Sequence, residues 1–379
     1  MSDAQPSPNA ALLGQPGSRQ RLQTPALVLD LDALEANLAT MAAWAEGNGL
    51  ALRPHAKSHK SPDIARRQLA AGAAGVCCAS LREAEVMAAA GIPGLLITTA
   101  LAPDKAARVA ALAAGGADLA CTVDHPELLA AYGAAAEAAG TRLKVVVDLD
   151  VGLGRTGTPS ADDAVTLARQ AAAHDSLAYC GVQAYMGHLQ HIAQVADRDE
   201  LLAEPTDKVE AMVEALREAN LAPGTVTGGG TGTHRLDAAR GALNEMQCGS
   251  YVFMDVDYDA VAQPDGARPY TNALFVQTSV VNVNHPGYAV TDAGLKSFAT
   301  DGPLPVIARG APDGASYRYM GDEHGAVVFA GQDERLALGD RVECVVPHCD
   351  PNVNLFDHYH VIRGDALVEI WPVAARGNP

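Results

Sequence analysis

The sequence predicts a closed (β/α)8 barrel followed by a C-terminal antiparallel β domain. Three observations carry this expectation. From Thr24 to about residue 260, short apolar runs alternate with Ala-rich stretches of helical period, the pattern of a parallel sheet covered by helices. Eight or nine such units suit a closed barrel better than an open doubly wound sheet, and the Rossmann glycine fingerprint is absent. Beyond residue 260 the apolar runs follow one another without helical stretches, as in antiparallel β structure.

Residues 1–23 are rich in Pro, Gly, Ser and Ala without periodicity and read as a mobile tail. "PALVLDL" is a β-type run, after which Leu31, Leu34, Leu38, Met41 and Trp44 recur at helical spacing. The further strand runs are "GLALRP", "AAGVCCAS", "GLLITTA", "ADLACTV", "LKVVVDLD", "LAYCGVQAY", "GTVTGGGTG" and "EMQCGSYVF". Helices are expected among them at 62–72, 81–90, 103–115, 125–139, 160–174 and 193–220, so the barrel is assigned to 24–260. The runs "NALFVQTSVVNVN", "YAVTDAG", "GAVVFAG", "RVECVVPH", "YHVIRG" and "ALVEIWPVA" assign the β domain to 261–379.

With 379 residues, 48% hydrophobic and 19% charged, the chain can bury a large core. A net charge of −18 argues against a nucleic-acid partner and against adhesion to an anionic membrane. No apolar run reaches the length of a membrane span and no export signal opens the chain, so a cytoplasmic protein is expected. The seven cysteines are odd in number and scattered, which favours reduced thiols over a disulfide framework.

Functional groups of a barrel gather at the C-terminal ends of its strands. "LRPHAKSHK" places Lys57 there, either as part of a solvated basic loop or as a desolvated amine nucleophile. "DLDVGLGRTG" delivers Arg155 on a glycine-containing turn, suited to an anionic oxygen or to a structural ion pair. "TVTGGGTGT" and "QCGSYVF" are glycine turns after late strands, where barrels bind phosphate. Thr231, Thr233 and Ser250 could add hydroxyls to such a site. "QAYMGHLQHI" offers Gln183, Tyr185, His188, Gln190 and His191 for acid–base work. In "VVPHCDPNVNLFD", a strand would turn His348 and Asp350 to one face and Cys349 to the other, favouring a His/Asp pair.

Taken in order, these segments resemble the D-threonine aldolase and D-serine dehydratase group. These enzymes use pyridoxal 5′-phosphate (PLP) on the alanine-racemase-type fold (fold type III). The likeness extends to "TPALVLDLDALEAN", "GDEHG" and the closing "VEIWPVAARG". It implies that Lys57 is the Schiff-base lysine. It implies that Gly229, Gly230, Thr231, Gly249, Ser250 and Tyr251 hold the phosphate, with Arg155 and Tyr185 beside the cofactor ring. It further implies His191 near substrate and metal, and His348 and Asp350 as metal ligands. The dehydratase branch carries His-x-Cys at that last pair. The aldolase branch carries His-x-Asp, a harder donor set that favours Mn2+ or Mg2+ over Zn2+.

The resemblance therefore implies retro-aldol cleavage of a D-3-hydroxy amino acid to glycine and an aldehyde. The alternatives are a β-hydroxyaspartate aldolase, with Arg318 a candidate for the extra carboxylate, and a D-serine or D-3-hydroxyaspartate dehydratase. A non-catalytic PLP-binding protein is the reading from a different class. A homodimer with its active site at the interface is expected by the same resemblance.

Overall fold

The computed structural model describes residues 6–377. Helices begin where the sequence supplies caps. The side chains of Ser61, Ser80 and Ser160 accept backbone N–H groups of Asp63, Glu83 and Asp163. Pro62 and Pro126 sit in first turns, where their missing N–H costs nothing. In chain order the first part runs β1 (Ala26–Asp30), α1 (Leu31–Gly47), β2 (Ala51–Leu52), α2 (Pro62–Ala70), β3 (Val76–Cys78), α3 (Leu81–Ala89) and β4 (Leu95–Ile97). It continues with α4 (Ala106–Ala114), β5 (Leu119–Val123), α5 (Pro126–Ala138), β6 (Leu143–Leu149), α6 (Ala161–Ala173) and β7 (Leu177–Ala184). Then come α7 (Val195–Glu218), β8 (Thr225–Gly228), α8 (His234–Arg240), β9 (Glu245–Met246) and α9 (Val256–Asp259). The helices α2 to α7 lie inside the stretches expected from periodicity.

The expected barrel is present as an eight-stranded parallel sheet in the order β2-β9-β8-β7-β6-β5-β4-β3. The sheet curls until its end strands touch. Ala74 N donates to Leu52 O and Cys77 N to Pro54 O, each at 2.8 Å. The strands are buried on both faces, which is why they read as unbroken apolar runs rather than alternating ones.

The second part contains β10 (Leu274–Asn282), β11 (Tyr288–Thr291), β12 (Val306–Arg309), β13 (Ser316–Tyr319), β14 (Gly325–Val328) and β15 (Arg341–Val345). It ends with α10 (Cys349–Val353), β16 (His358–Arg363) and β17 (Ala366–Pro372). All its pairings are antiparallel except that of β1 with β16.

That exception corrects the assignment of residues 24–260 to the barrel. β1 is a strand of the second sheet, pairing antiparallel with β10 and parallel with β16. Ala26 and Val28 bury against Phe275, Ile362 and Leu367, while Leu27 and Leu29 join the main core. A strand buried on both faces carries the same apolar signature in either sheet.

The mobile tail assigned to 1–23 is corrected as well, from residue 6 onward; residues 1–5 lie outside the described residues. Two short 3-10 turns at Ala10–Leu12 and Ser18–Arg21 lie against the β domain. Arg19 forms a forked pair with buried Glu343, at 2.7 and 2.6 Å. His360 Nε2 lies 3.0 Å from both Ser7 Oγ and Asn9 Nδ2. Such anchors are single long-range polar pairs and leave no periodic trace in the sequence.

Candidate active site

The chain leaves β2 through a tight turn in which His55 Nδ1 accepts the Lys57 N–H at 3.3 Å. The opposite ring nitrogen, Nε2, therefore carries the proton and meets Thr98 Oγ1 at 3.0 Å. Burial, assisted by the Lys57 charge, lowers the His55 pKa to about 3 and keeps the ring neutral. The turn presents Lys57 to a cavity of about 150 Å3 lined also by Arg155, Gln183, Tyr185 and Gln247. A larger cavity of about 670 Å3 lies between residues 254–275 and β12, but no lysine or histidine lines it. The chemistry gathers in the smaller one.

The floor of that cavity is a satisfied polar network. Gln183 Nε2 donates to Thr98 O and Asp148 Oδ1 at 2.8 Å, and Gln247 Nε2 donates to Gln183 Oε1 and Thr227 Oγ1 at 3.1 Å. Arg155 rides on a loop tied down by Asp150, which accepts the N–H groups of Gly152 and Gly154 at 3.0 Å. Its guanidinium lies 5.9 Å from the Tyr185 ring centroid, and among the described residues it makes no ion pair. The structural ion pair weighed for Arg155 is thus not formed.

Two glycine turns after β8 and β9 face each other. Tyr251 N donates to Thr231 Oγ1 at 3.1 Å and joins them. Among the described residues, the amides of Gly230, Thr231, Gly249 and Ser250 have no protein acceptor, which makes a cradle of N–H donors. A side chain at two of these positions would force a neighbour to move. A Cβ on Gly230 would stand 2.4 Å from Gln190 Oε1, and one on Gly249 would stand 2.5 Å from Ser58 Oγ. The Thr233 hydroxyl, expected at the phosphate, instead donates to Asp237 Oδ2 at 2.6 Å and accepts from Gln190 at 2.9 Å.

At the rim, Lys57 Nζ donates to Asp350 Oδ2. Burial alone would lower the Lys57 pKa, but the Asp350 carboxylate outweighs it and holds the amine above its ordinary value. Burial alone would raise Asp350, but the Lys57 ammonium beside it drives it below the usual carboxylate range. His348 donates from Nδ1 to Asp301 at 2.7 Å. His191 pairs through Nδ1 with Asp257 at 2.9 Å, and its ring centroid lies 6.1 Å from that of His348. Burial lowers the His191 pKa, with Asp257 opposing.

The strand alternation expected for "PHCD" is not what brings His348 and Asp350 to this rim. β15 ends at Val345, His348 is the extended N-cap residue, and Cys349 opens α10. Pro347 offers no ladder donor, and buried Asp255 captures the Cys349 N–H at 2.8 Å, which starts the helical turn. Cys349 is fully buried, and its thiol pKa is pushed up by burial. Arg318 lies on β13 with its guanidinium 5.3 Å from the Tyr288 ring centroid and does not line the cavity.

Sequence reading missed Asp257, Asp301 and Gln247. Asp257 stands close behind "QCGSY", in "FMDVDY", and could have been sought there; Asp301, in a loop far from His348 in sequence, left no signal.

A model of the alanine racemase N-terminal domain matches residues 29–257, more than half the chain. The chain belongs to the alanine racemase N-terminal domain family. A serine dehydratase domain model matches residues 273–362. The chain is 41% identical to a D-threonine aldolase of Arthrobacter sp., over 96% of this chain and 95% of that one. It is 40% identical to a 3-hydroxy-D-aspartate aldolase of Paracoccus denitrificans (strain Pd 1222), over 94% and 93% of the two chains. The crystal structure of D-threonine aldolase from Filomicrobium marinum is similar, with a TM-score of 0.90 and 39% identity over 94% of this chain and 96% of that one.

Family membership implies PLP, and the residues fit it. The cradle of free amides suits a phosphate, the cavity is apt for a small ring, and among the described residues Lys57 is the lysine that lines it. For a divalent metal, His348 and Asp350 offer an imidazole and a carboxylate, with the thiol between them buried. Among the described residues, no group of three or more His, Cys, Asp or Glu side chains is arranged to hold a metal ion. Among them, too, no helix is long and apolar enough to cross a membrane.

Proposed function

We propose that this protein is a PLP- and divalent-metal-dependent D-threonine aldolase, cleaving D-3-hydroxy amino acids reversibly to glycine and an aldehyde. The observation that carries the proposal is the meeting of Lys57 and Asp350 at the barrel mouth. It puts a cofactor-linking amine beside one of the metal donors, within a rim that also holds His191 and His348.

In this reading the amides of Gly230, Thr231, Gly249 and Ser250 and the hydroxyls of Thr231 and Ser250 would hold the phosphate, with Gly229 and Tyr251 shaping the two turns. Lys57 would link to the cofactor, and Arg155 and Tyr185 would flank its ring. PLP when bound supplies an electron sink for the electron pair left on Cα. His348 and Asp350 would hold a divalent ion, whose positive charge would acidify the substrate β-hydroxyl. His191, with Nδ1 engaged by Asp257, turns its free Nε2 to act as the base that removes the β-hydroxyl proton. Loss of that proton lets the Cα–Cβ bond break, releasing the aldehyde, and a proton returned to Cα completes glycine.

Asp350 where the dehydratase branch has cysteine favours Mn2+ or Mg2+ over Zn2+, and favours aldol cleavage over loss of the hydroxyl. With Arg318 turned away from the cavity, a neutral side chain such as that of D-threonine suits the site better than a second carboxylate. A cytoplasmic homodimer, with the β domain of one subunit over the barrel mouth of the other, belongs to the same reading.

The test is to incubate the purified protein with PLP, Mn2+ and D-threonine, D-serine or D-3-hydroxyaspartate, then identify the carbonyl product. Glycine with acetaldehyde from D-threonine is the expected result. A keto acid with ammonia would replace the aldolase by a dehydratase, and no product from any substrate would leave a PLP-binding protein without catalysis.

A further inference from the structure

Against the glycine turn that follows β8 lies a buried carboxylate that forms no ion pair among the described residues. Asp237, on α8, is 4% exposed. Its Oδ2 accepts the Thr233 hydroxyl at 2.6 Å, and a Cβ built on Gly229 would stand only 2.7 Å from that same oxygen. The charge thus sits against Gly229, the residue that leads into the cradle amides of Gly230 and Thr231. Arg240, one helical turn on, spends its guanidinium on Asp199 at 2.8 Å rather than on Asp237.

The other groups facing Asp237 bring no positive charge. Gln190 reaches it only through Thr233, and the uncharged Met246 Sδ lies on the same side of Gly229, 2.9 Å from that Cβ position. Burial pushes the Cys248 thiol up, with Asp237 adding to the effect, so it stays protonated. His234, the first residue of α8, is held neutral by burial, with its pKa lowered to about 4.

We infer that Asp237 takes up one proton from solvent when a phosphate dianion enters the glycine cradle, so that anion and carboxylate are never both charged across Gly229. The inference rests on the reading of that cradle as the phosphate site. Two like charges so placed in a desolvated region cannot both persist at low cost, and the carboxylate is the one that can be neutralised. Because Thr233 donates to Oδ2, the proton settles on Oδ1. Burial already brings the Asp237 pKa up to about 7, so the switch falls within the working pH range. Phosphate affinity therefore weakens as pH rises through and above that value. Asp237 is in this sense a positioning residue that makes retention of a phosphorylated cofactor pH-dependent.

The experiment uses pyridoxine 5′-phosphate, which has no aldehyde to condense with Lys57 and is mostly a dianion at pH 7.5. Its binding to the cofactor-free protein is followed by titration calorimetry in two buffers of different ionisation enthalpy, which counts protons. At pH 7.5 about a quarter of Asp237 is already protonated, so an uptake of about three quarters of a proton is expected from it. In Asp237→Asn, which keeps an oxygen for Thr233, that part of the uptake disappears while binding persists.

Should that variant not fold, the wild type alone decides. Sulfate is a dianion throughout, and its affinity is expected to fall about 25-fold between pH 6.5 and 8.5. Equal proton counts in wild type and variant, or a sulfate affinity flat across that range, overturns the inference alone. If sulfate binds but does not compete with pyridoxine 5′-phosphate, the phosphate reading of the cradle fails and the inference falls with it.

Discussion

At the scale of single residues, the rim of the cavity is organised by two histidines, each held at Nδ1 by a carboxylate from a distant segment. Asp301 takes His348 at 2.7 Å and Asp257 takes His191 at 2.9 Å. This fixes both tautomers and leaves both Nε2 atoms for the site. Asp301 is half-exposed and contributes little to the fold, so its removal isolates the effect on His348. Asp301→Asn is expected to weaken Mn2+ binding about 10- to 100-fold by calorimetry, with the melting temperature unchanged. His191→Ala is expected to lower kcat by about 10²–10⁴-fold while the visible spectrum of bound PLP stays as in the wild type. An equal loss of cofactor signal would make His191 a structural residue.

The histidines themselves were legible in the sequence because they stand inside dense motifs. Their carboxylate partners were not, since a side-chain pair across 47 residues leaves no mark on either segment.

At the scale of elements, the site depends on turns rather than on strands. β2 and β9 are two residues long, and what they do is aim the turns that follow them toward one cavity. "GGGTGT" and "QCGSY" were readable because closely approaching backbones demand glycine, a local requirement that survives in sequence. The direction of each hydroxyl was not readable: Thr233 turns to Asp237, and only tertiary contact with α8 and Gln190 decides that. The end of β15 departs from the expected strand for a related reason. Strand alternation does not extend past Pro347, because capture of the Cys349 N–H by Asp255 starts a helix there.

The closeness of the two glycine turns to the Lys57 turn makes a specific prediction. A methyl at Gly249 would meet Ser58 Oγ at 2.5 Å and the His55 backbone oxygen at 3.3 Å. Gly249 has ordinary negative φ, so backbone strain plays no part. Gly249→Ala is therefore expected to destabilise by about 1–3 kcal/mol through overpacking, read as a shift in the urea midpoint, and to weaken PLP retention.

At the scale of the whole molecule, the two parts are not independent. β1 lies in the second sheet, α1 returns the chain to β2, and the polar anchors of residues 7–19 fasten the N-terminal segment to the β domain. The alternation of strands and helices made the architecture legible, but not which sheet β1 would join, since its apolar run suits either. The same integration has a consequence for acid stability. His234 packs between α1 and the segment leading into β10, 4.6 Å from the Trp44 ring and 3.2 Å from the Tyr270 hydroxyl. His360, with Nδ1 engaged by Leu27 O at 3.1 Å, ties β16 to β1 and to the N-terminal segment. Burial lowers both pKa values from 6.5 to about 4, so both rings are neutral in the fold. An unfolded histidine binds its proton near pH 6.5, while the folded one waits until about pH 4. Over that window the unfolded state holds more protons, so stability falls as pH falls. The full contribution is present above about 6.5, and each group adds a slope of about 1.4 kcal/mol per pH unit. His360→Gln keeps a polar side chain at the junction but cannot titrate. Urea midpoints measured between pH 7 and 4.5 should therefore fall less steeply in this variant than in the wild type, and parallel curves would mean that His360 is already charged in the folded protein.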